Sequence, residues 1–151
     1  MPKKTKAKTF EVPAVATIEI NAQPSRVFNA LTDADLVKEY LAGAEIKSDF
    51  KVGSPITYSG EWEGQPYEDK GVVLDFEPRK LLKVTHYSPL SGKPDAPENY
   101  HTVTYAVAGD DNQSTLTITQ ENNRDQAEVD EAQKTWTTIL EGLKTAVERR
   151  G

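Results

Sequence analysis

The stretch "KTWTTILEGLKTAV", from Lys134 to Val147, decides the fold. Its apolar side chains are Trp136, Ile139, Leu140, Leu143, Ala146 and Val147. They recur three and four residues apart and so share one face of a helix. Upstream the stripe continues through Ala132 and Val129. Asp125 and Glu128 have the spacing of a capping box, with Asp125 as the cap. Downstream, Arg149 and Arg150 stand near the end of the helix dipole that favours cations. About 24 residues rising 1.5 Å each make a rod of roughly 36 Å, long enough to cross several strands. Gly142 costs such a helix about 1 kcal/mol, and marks either a close approach to the sheet or nothing.

The remainder of the chain supplies that sheet. "AVATIEI" (Ala14–Ile20) alternates, with Ala14, Ala16, Ile18 and Ile20 on one face. In "NAQPSRVFNALTDADLVKEYL", Pro24 suits a first helical turn, and Val27, Phe28 and Leu31 form a short apolar face. Thr32 or Asp33 can cap a second short helix carrying Leu36, Val37, Tyr40 and Leu41. From Glu45 to Glu121 the period is two. "EIKSDF", "ITYSGEW", "EDKGVVLDF", "LLKVTHY", "NYHTVTYAV" and "STLTITQE" read as strands. "EGQP" (Glu63–Pro66), "EPRK" and "GDDNQ" are the turns between them, which makes the sheet antiparallel. One longer connection, Ser88–Asn99, holds Pro89, Pro94, Pro97 and Gly92 and is no central strand. The helix is therefore expected against the concave face of a curved antiparallel sheet, because no other large apolar surface is present.

The chain has 151 residues, 36% hydrophobic and 28% charged, the proportions of one soluble domain with one core. No apolar run approaches the ~20 residues of a membrane span. The lysines of "MPKKTKAKT" have no apolar stretch behind them, so no secretory signal is expected there. With no cysteine there is no disulfide, thiolate nucleophile or cysteine-held zinc. These readings point to the cytoplasm. The net charge is −6. Setting aside Lys3, Lys4, Lys6 and Lys8 leaves 14 basic against 24 acidic residues, or −10. An acidic body argues against nucleic acid as a partner. Residues 1–9 read as a disordered basic tail, and 10–151 as a single domain.

The order strand, two short helices, about six further strands and a long C-terminal helix resembles the helix-grip fold. Specific residues sharpen the likeness. Ala22, Pro24, Val27, Phe28, Ala30, Leu31, Thr32, Asp33 and Tyr40 resemble the opening motif of the Hsp90-ATPase-activator-homologue (Aha1-like) family, within the START/Bet v 1-like superfamily. Gly71, Val73, Pro78 and Leu82 resemble its strand–turn–strand, and "TLTITQEN" with "KTWTTILEGLK" its closing strand and helix. Tyr40 stands where the family usually has Trp, Gly53-Ser54 where two glycines are common, and Thr135 where a Gly precedes the helix Trp. The resemblance implies an α+β domain with six or seven strands and a cavity between sheet and C-terminal helix.

Tyr58, Trp62, Val84, His86, Val103, Tyr105, Trp136 and Leu140 are the candidate lining of that cavity. The same large rings could instead fill it, so a filled core stays open beside a ligand space. His86 and His101 lie on neighbouring predicted strands, yet no third ligand is spaced to complete a metal site. Both are expected to be structural or surface residues. Glu61, Glu63, Glu68, Asp69 and Asp75 cluster in sequence and are expected to be solvated. No P-loop, dinucleotide fingerprint, nucleophile elbow or zinc-protease motif occurs, and no catalytic constellation or cofactor is indicated. The leading expectation is binding of a small apolar or amphipathic molecule, with an opening near Ser88–Asn99. A protein-interaction domain of co-chaperone or stress-response type is the alternative. Against it, the resemblance implies that eukaryotic activators of that type carry an additional N-terminal domain, for which 151 residues are expected to leave no room. A cyclase or dehydratase acting in the cavity is the third.

Overall fold

A computed structural model describes residues 10–149, so the basic segment 1–9 and Arg150 lie outside the described residues. The alternating stretch forms β1 (Ala14–Ile20), with Ala14, Ala16 and Ile20 buried and Ile18 partly so. Pro24 opens α1 (Pro24–Thr32). Asp33 then caps α2 (Ala34–Tyr40), its carboxylate accepting from the Asp35 and Leu36 amides.

Six strands follow: β2 (Glu45–Ser48), β3 (Pro55–Trp62), β4 (Gln65–Glu77), β5 (Leu81–His86), β6 (His101–Gly109) and β7 (Ser114–Glu121). The seven strands form one antiparallel sheet in the order β1-β7-β6-β5-β4-β3-β2. One predicted turn is shorter than expected. The chain reverses on Glu63 and Gly64 alone, both at positive φ, and Gln65 and Pro66 already belong to β4. Strand β4 carries an irregularity between Val73 and Asp75, of the kind that bends a sheet.

The last element is α3 (Gln126–Arg149), 24 residues long. Asp125 accepts from the Glu128 amide, as a capping box requires, while the Glu128 carboxylate reaches back to the Arg124 amide. Val129, Leu140, Leu143, Ala146 and Val147 are buried. The helix lies along β1 and α2 and is tied to β1 by hydrogen bonds. Lys144 Nζ donates to the Glu19 carbonyl at 2.8 Å, and the Asn21 amide donates to Glu148 at 2.8 Å. Gly142 marks a close approach, but to α2 rather than to the sheet. A Cβ there would lie 3.3 Å from Tyr40 Cβ.

The core gathers Ile20, Val27, Ile56, Val73, Leu82, Leu116, Ile118, Leu140 and Leu143 between sheet and helices. Trp136 is only partly buried at its margin. A bent antiparallel sheet, two short helices after the first strand and a long C-terminal helix across it make this the helix-grip fold.

Candidate functional site

Strand alternation assembles a polar row across the concave face. Tyr58 on β3 lies in register with Asp69 on β4, and His86 on β5 lies in register with His101 on β6. Between these pairs, His86 Nε2 is 3.0 Å from Asp69 Oδ2. At the far end, His101 Nε2 is 3.0 Å from Glu128 Oε2 on α3. The row therefore runs Tyr58, Asp69, His86, His101, Glu128 over four strands and onto the helix.

Gly71 enables the Asp69 contact. A Cβ at Gly71 would sit 1.7 Å from the Thr85 carbonyl oxygen, so only glycine lets β4 come this close to β5. Lys70 and Tyr87 then exchange backbone hydrogen bonds at 2.8 and 3.0 Å, setting Asp69 beside His86.

Above the row lies a cavity of about 720 Å³. The first half of α3 forms one wall, through Glu128, Ala132, Trp136 and Ile139. Aromatic rings from the sheet and α2 form the others: Tyr40, Tyr58, Tyr67 and Tyr105. Tyr105 and Trp136 meet edge-on with centroids 6.0 Å apart, as do Tyr58 and His86. The Trp136 indole N–H donates to Gln120 Oε1 at 2.9 Å, and Gln120 is held in turn by Asn123. The Tyr40 hydroxyl donates to the Ala30 carbonyl at 2.7 Å.

Of the expected lining, Tyr58, His86, Tyr105 and Trp136 border the cavity. Val84, Val103 and Leu140 do not. They are 1%, 2% and 1% exposed and pack into the core, because the facing side chains close over them before the cavity begins. Trp62 ends β3, and its side chain lies outside the described residues. The opening also differs from expectation. The exposed lining residues are Ala42, Glu131, Thr135 and Thr138, so the mouth lies between the middle of α3 and the turn after α2. The Ser88–Asn99 segment instead covers a second space of about 240 Å³, which shares His86, His101 and Glu128 with the first. That segment is held closed by Tyr100, whose hydroxyl donates to Asp95 at 2.6 Å and whose ring stacks on Tyr87 at 5.3 Å.

The carboxylate expectation fails at Asp69. Its side chain is 17% exposed, and Oδ1 is buried without a hydrogen-bond partner. Alternation counted back from the buried Val73 would have turned Asp69 inward. Both histidines also point to the cavity rather than to the surface, each against a carboxylate.

Electrostatics follow from this burial. Burial pushes Tyr105 up to about 12. Burial, then the nearby Tyr105 and Tyr40, raise the Tyr58 phenol well above its ordinary value. Burial also lowers the His101 pKa, although Glu128 opposes it. Burial works against the ionised Glu128, yet the Arg124 amide and His101 hold its carboxyl below the usual range. Among the described residues no three potential ligands gather as a metal site, and no helix is long and apolar enough to cross a membrane.

The sequence profile described as activator of Hsp90 ATPase homolog 1-like protein matches residues 21–148. No protein of curated function matches the chain. Among solved structures it is similar to ChR145 from Cytophaga hutchinsonii, at 42% identity, covering 90% of this chain and 94% of that one, with a TM-score of 0.76. It is also similar to MLL2253 from Mesorhizobium loti, at 23% identity over 93% and 99% of the two chains, TM-score 0.74. The Aha1 dimer from Colwellia psychrerythraea is 23% identical over 91% of this chain and 96% of that one, TM-score 0.70. The two more distant likenesses show the fold alone.

Proposed function

We propose, from the premise that this chain belongs to the activator of Hsp90 ATPase homolog 1-like family, that it binds a small amphipathic molecule between α3 and the sheet. One observation carries this reading. The space there is about 720 Å³, within the range of roughly 300–1,000 Å³ usual for ligand sites, and aromatic rings border it with a few polar groups at one end. A domain built only for packing would close such a space, since an unfilled apolar wall forfeits dispersion contacts. The exposed large apolar residues offer less for a protein partner. Val12 and Val15 lie just before and on β1, and Val72 and Leu74 on β4 with three strands between, while Val52 and Leu90 lie in connections.

Titration with the neutral fluorescent probe N-phenyl-1-naphthylamine tests the reading. A saturable 1:1 enhancement is expected, lost in Ala132→Trp, which fills the cavity from α3 while circular dichroism stays unchanged. Equal probe binding by Ala132→Trp would overturn it. Native mass spectrometry of protein from its own cells should also carry a retained small molecule.

A second reading, acid–base catalysis, is favoured by the convergence of Asp69, His86, His101 and Glu128 on the same cavity. The two readings part on the fate of the retained molecule. Binding returns it unaltered after incubation with fresh protein. Catalysis returns a changed mass, and returns the original mass from a His86→Gln, His101→Gln double variant.

A further inference from the structure

One atom of the polar row is left without a partner. Each imidazole presents Nε2 to a carboxylate at 3.0 Å. Asp69 Oδ1 is buried and accepts no hydrogen bond. A buried acceptor left unpaired is destabilising, more so when it carries charge.

The charge has the same sense. Three carboxylates border the cavity, Asp69, Glu128 and, at the mouth, Glu131. Among the described residues no lysine or arginine borders it. Lys93 and Arg124 line the smaller space beyond His101 instead. The walls above the row are tyrosine and tryptophan rings, whose faces attract cations.

We infer that the molecule held in this cavity carries a protonated amine, which it sets against Asp69 and Glu128 while its apolar body lies among Tyr58, Tyr105 and Trp136. This deepens the binding reading above and rests on it. An ammonium brings only donors and a positive charge, the complement of an unpaired carboxylate oxygen in a cavity bordered by carboxylates and by no cationic side chain among the described residues. A carboxylate head brings neither, and meets like charge at the cavity floor. Fatty acids and other anionic amphipaths are the class this site turns away.

Three ligands with one ring system and different heads test the inference: 2-(2-naphthyl)ethylamine, 2-(2-naphthyl)ethanol and 2-naphthylacetate. Affinities are measured by calorimetry at pH 7.5 and low salt, with displacement of N-phenyl-1-naphthylamine to place each ligand in the cavity. The amine should bind about tenfold or more tighter than the carboxylate, with the alcohol between. Asp69→Asn should weaken the amine, leave the alcohol unchanged and strengthen the carboxylate. Glu128→Gln repeats the test on the second carboxylate, and thermal unfolding checks that both variants fold. Equal affinity for all three heads overturns the amine inference and leaves the cavity reading standing. A carboxylate that binds as tightly as the amine does the same. Failure of all three to displace the probe sinks both.

Discussion

Trp136 joins the core to the cavity. One side of its ring meets Tyr105 edge-on at 6.0 Å, its N–H is taken by Gln120, and the cavity lies against the rest. Truncating a fully packed tryptophan costs about 3–5 kcal/mol. Because part of this ring borders open space, Trp136→Ala should cost less, roughly 2–3 kcal/mol in chemical denaturation. A loss of 4 kcal/mol or more, on the order expected of fully packed core, would mean that the ring is enclosed on all sides. Asp69 is a second position where one side chain decides the character of the site. Its inward direction follows from Val73 two positions beyond Gly71 on the same face, a count the sequence makes available. The cluster of acidic neighbours hides it, because Glu61, Glu63 and Glu68 are exposed and suggest one solvated group.

Strand β4 shows how an element aims its residues. Its neighbour β5 approaches so closely at Gly71 that a methyl group there would overlap the Thr85 carbonyl oxygen. Backbone atoms give way only by moving the strand. Gly71→Ala should therefore destabilise by about 3 kcal/mol or more, since overpacking costs typically 1–3 even where side chains can yield. It should also abolish probe binding, because Asp69 and His86 would separate. Unchanged thermal stability of that variant would remove Gly71 from the account. In α3, Leu140, Leu143, Ala146 and Val147 are buried, while Glu128, Ala132, Trp136 and Ile139 border the cavity. The apolar stripe is continuous through both groups, so periodicity alone reads them as one buried face.

At the scale of the molecule, the buried row couples stability to pH. His101 has its folded pKa lowered by burial, so between that value and its ordinary value near 6.5 the unfolded chain binds the proton and the folded chain does not. Its contribution is present above 6.5 and lost as pH falls through the folded value. Glu128 has its folded pKa below 4.5, and its contribution is lost at still lower pH, as its carboxylate protonates. Both slopes have one sign. The thermal midpoint should fall as pH drops from 7 to 5, and His101→Gln should flatten that fall. A midpoint rising on acidification would contradict the burial of a neutral imidazole.

By itself the sequence determined the element order, the antiparallel pairing, the caps at Asp33 and Asp125 and the long helix over the sheet. These rest on local propensity and on periods of two and 3.6, which neighbours along the chain already express. It also placed Tyr58, His86, Tyr105 and Trp136 on the face where the cavity lies. Only the tertiary structure decided that the cavity opens beside the middle of α3, that Val84 and Val103 are covered, and that His101 meets Glu128. Those outcomes depend on the distance and angle between a helix and a sheet 27 residues apart at the His101–Glu128 contact. Packing of many side chains together sets that distance, and no short stretch of the chain encodes it.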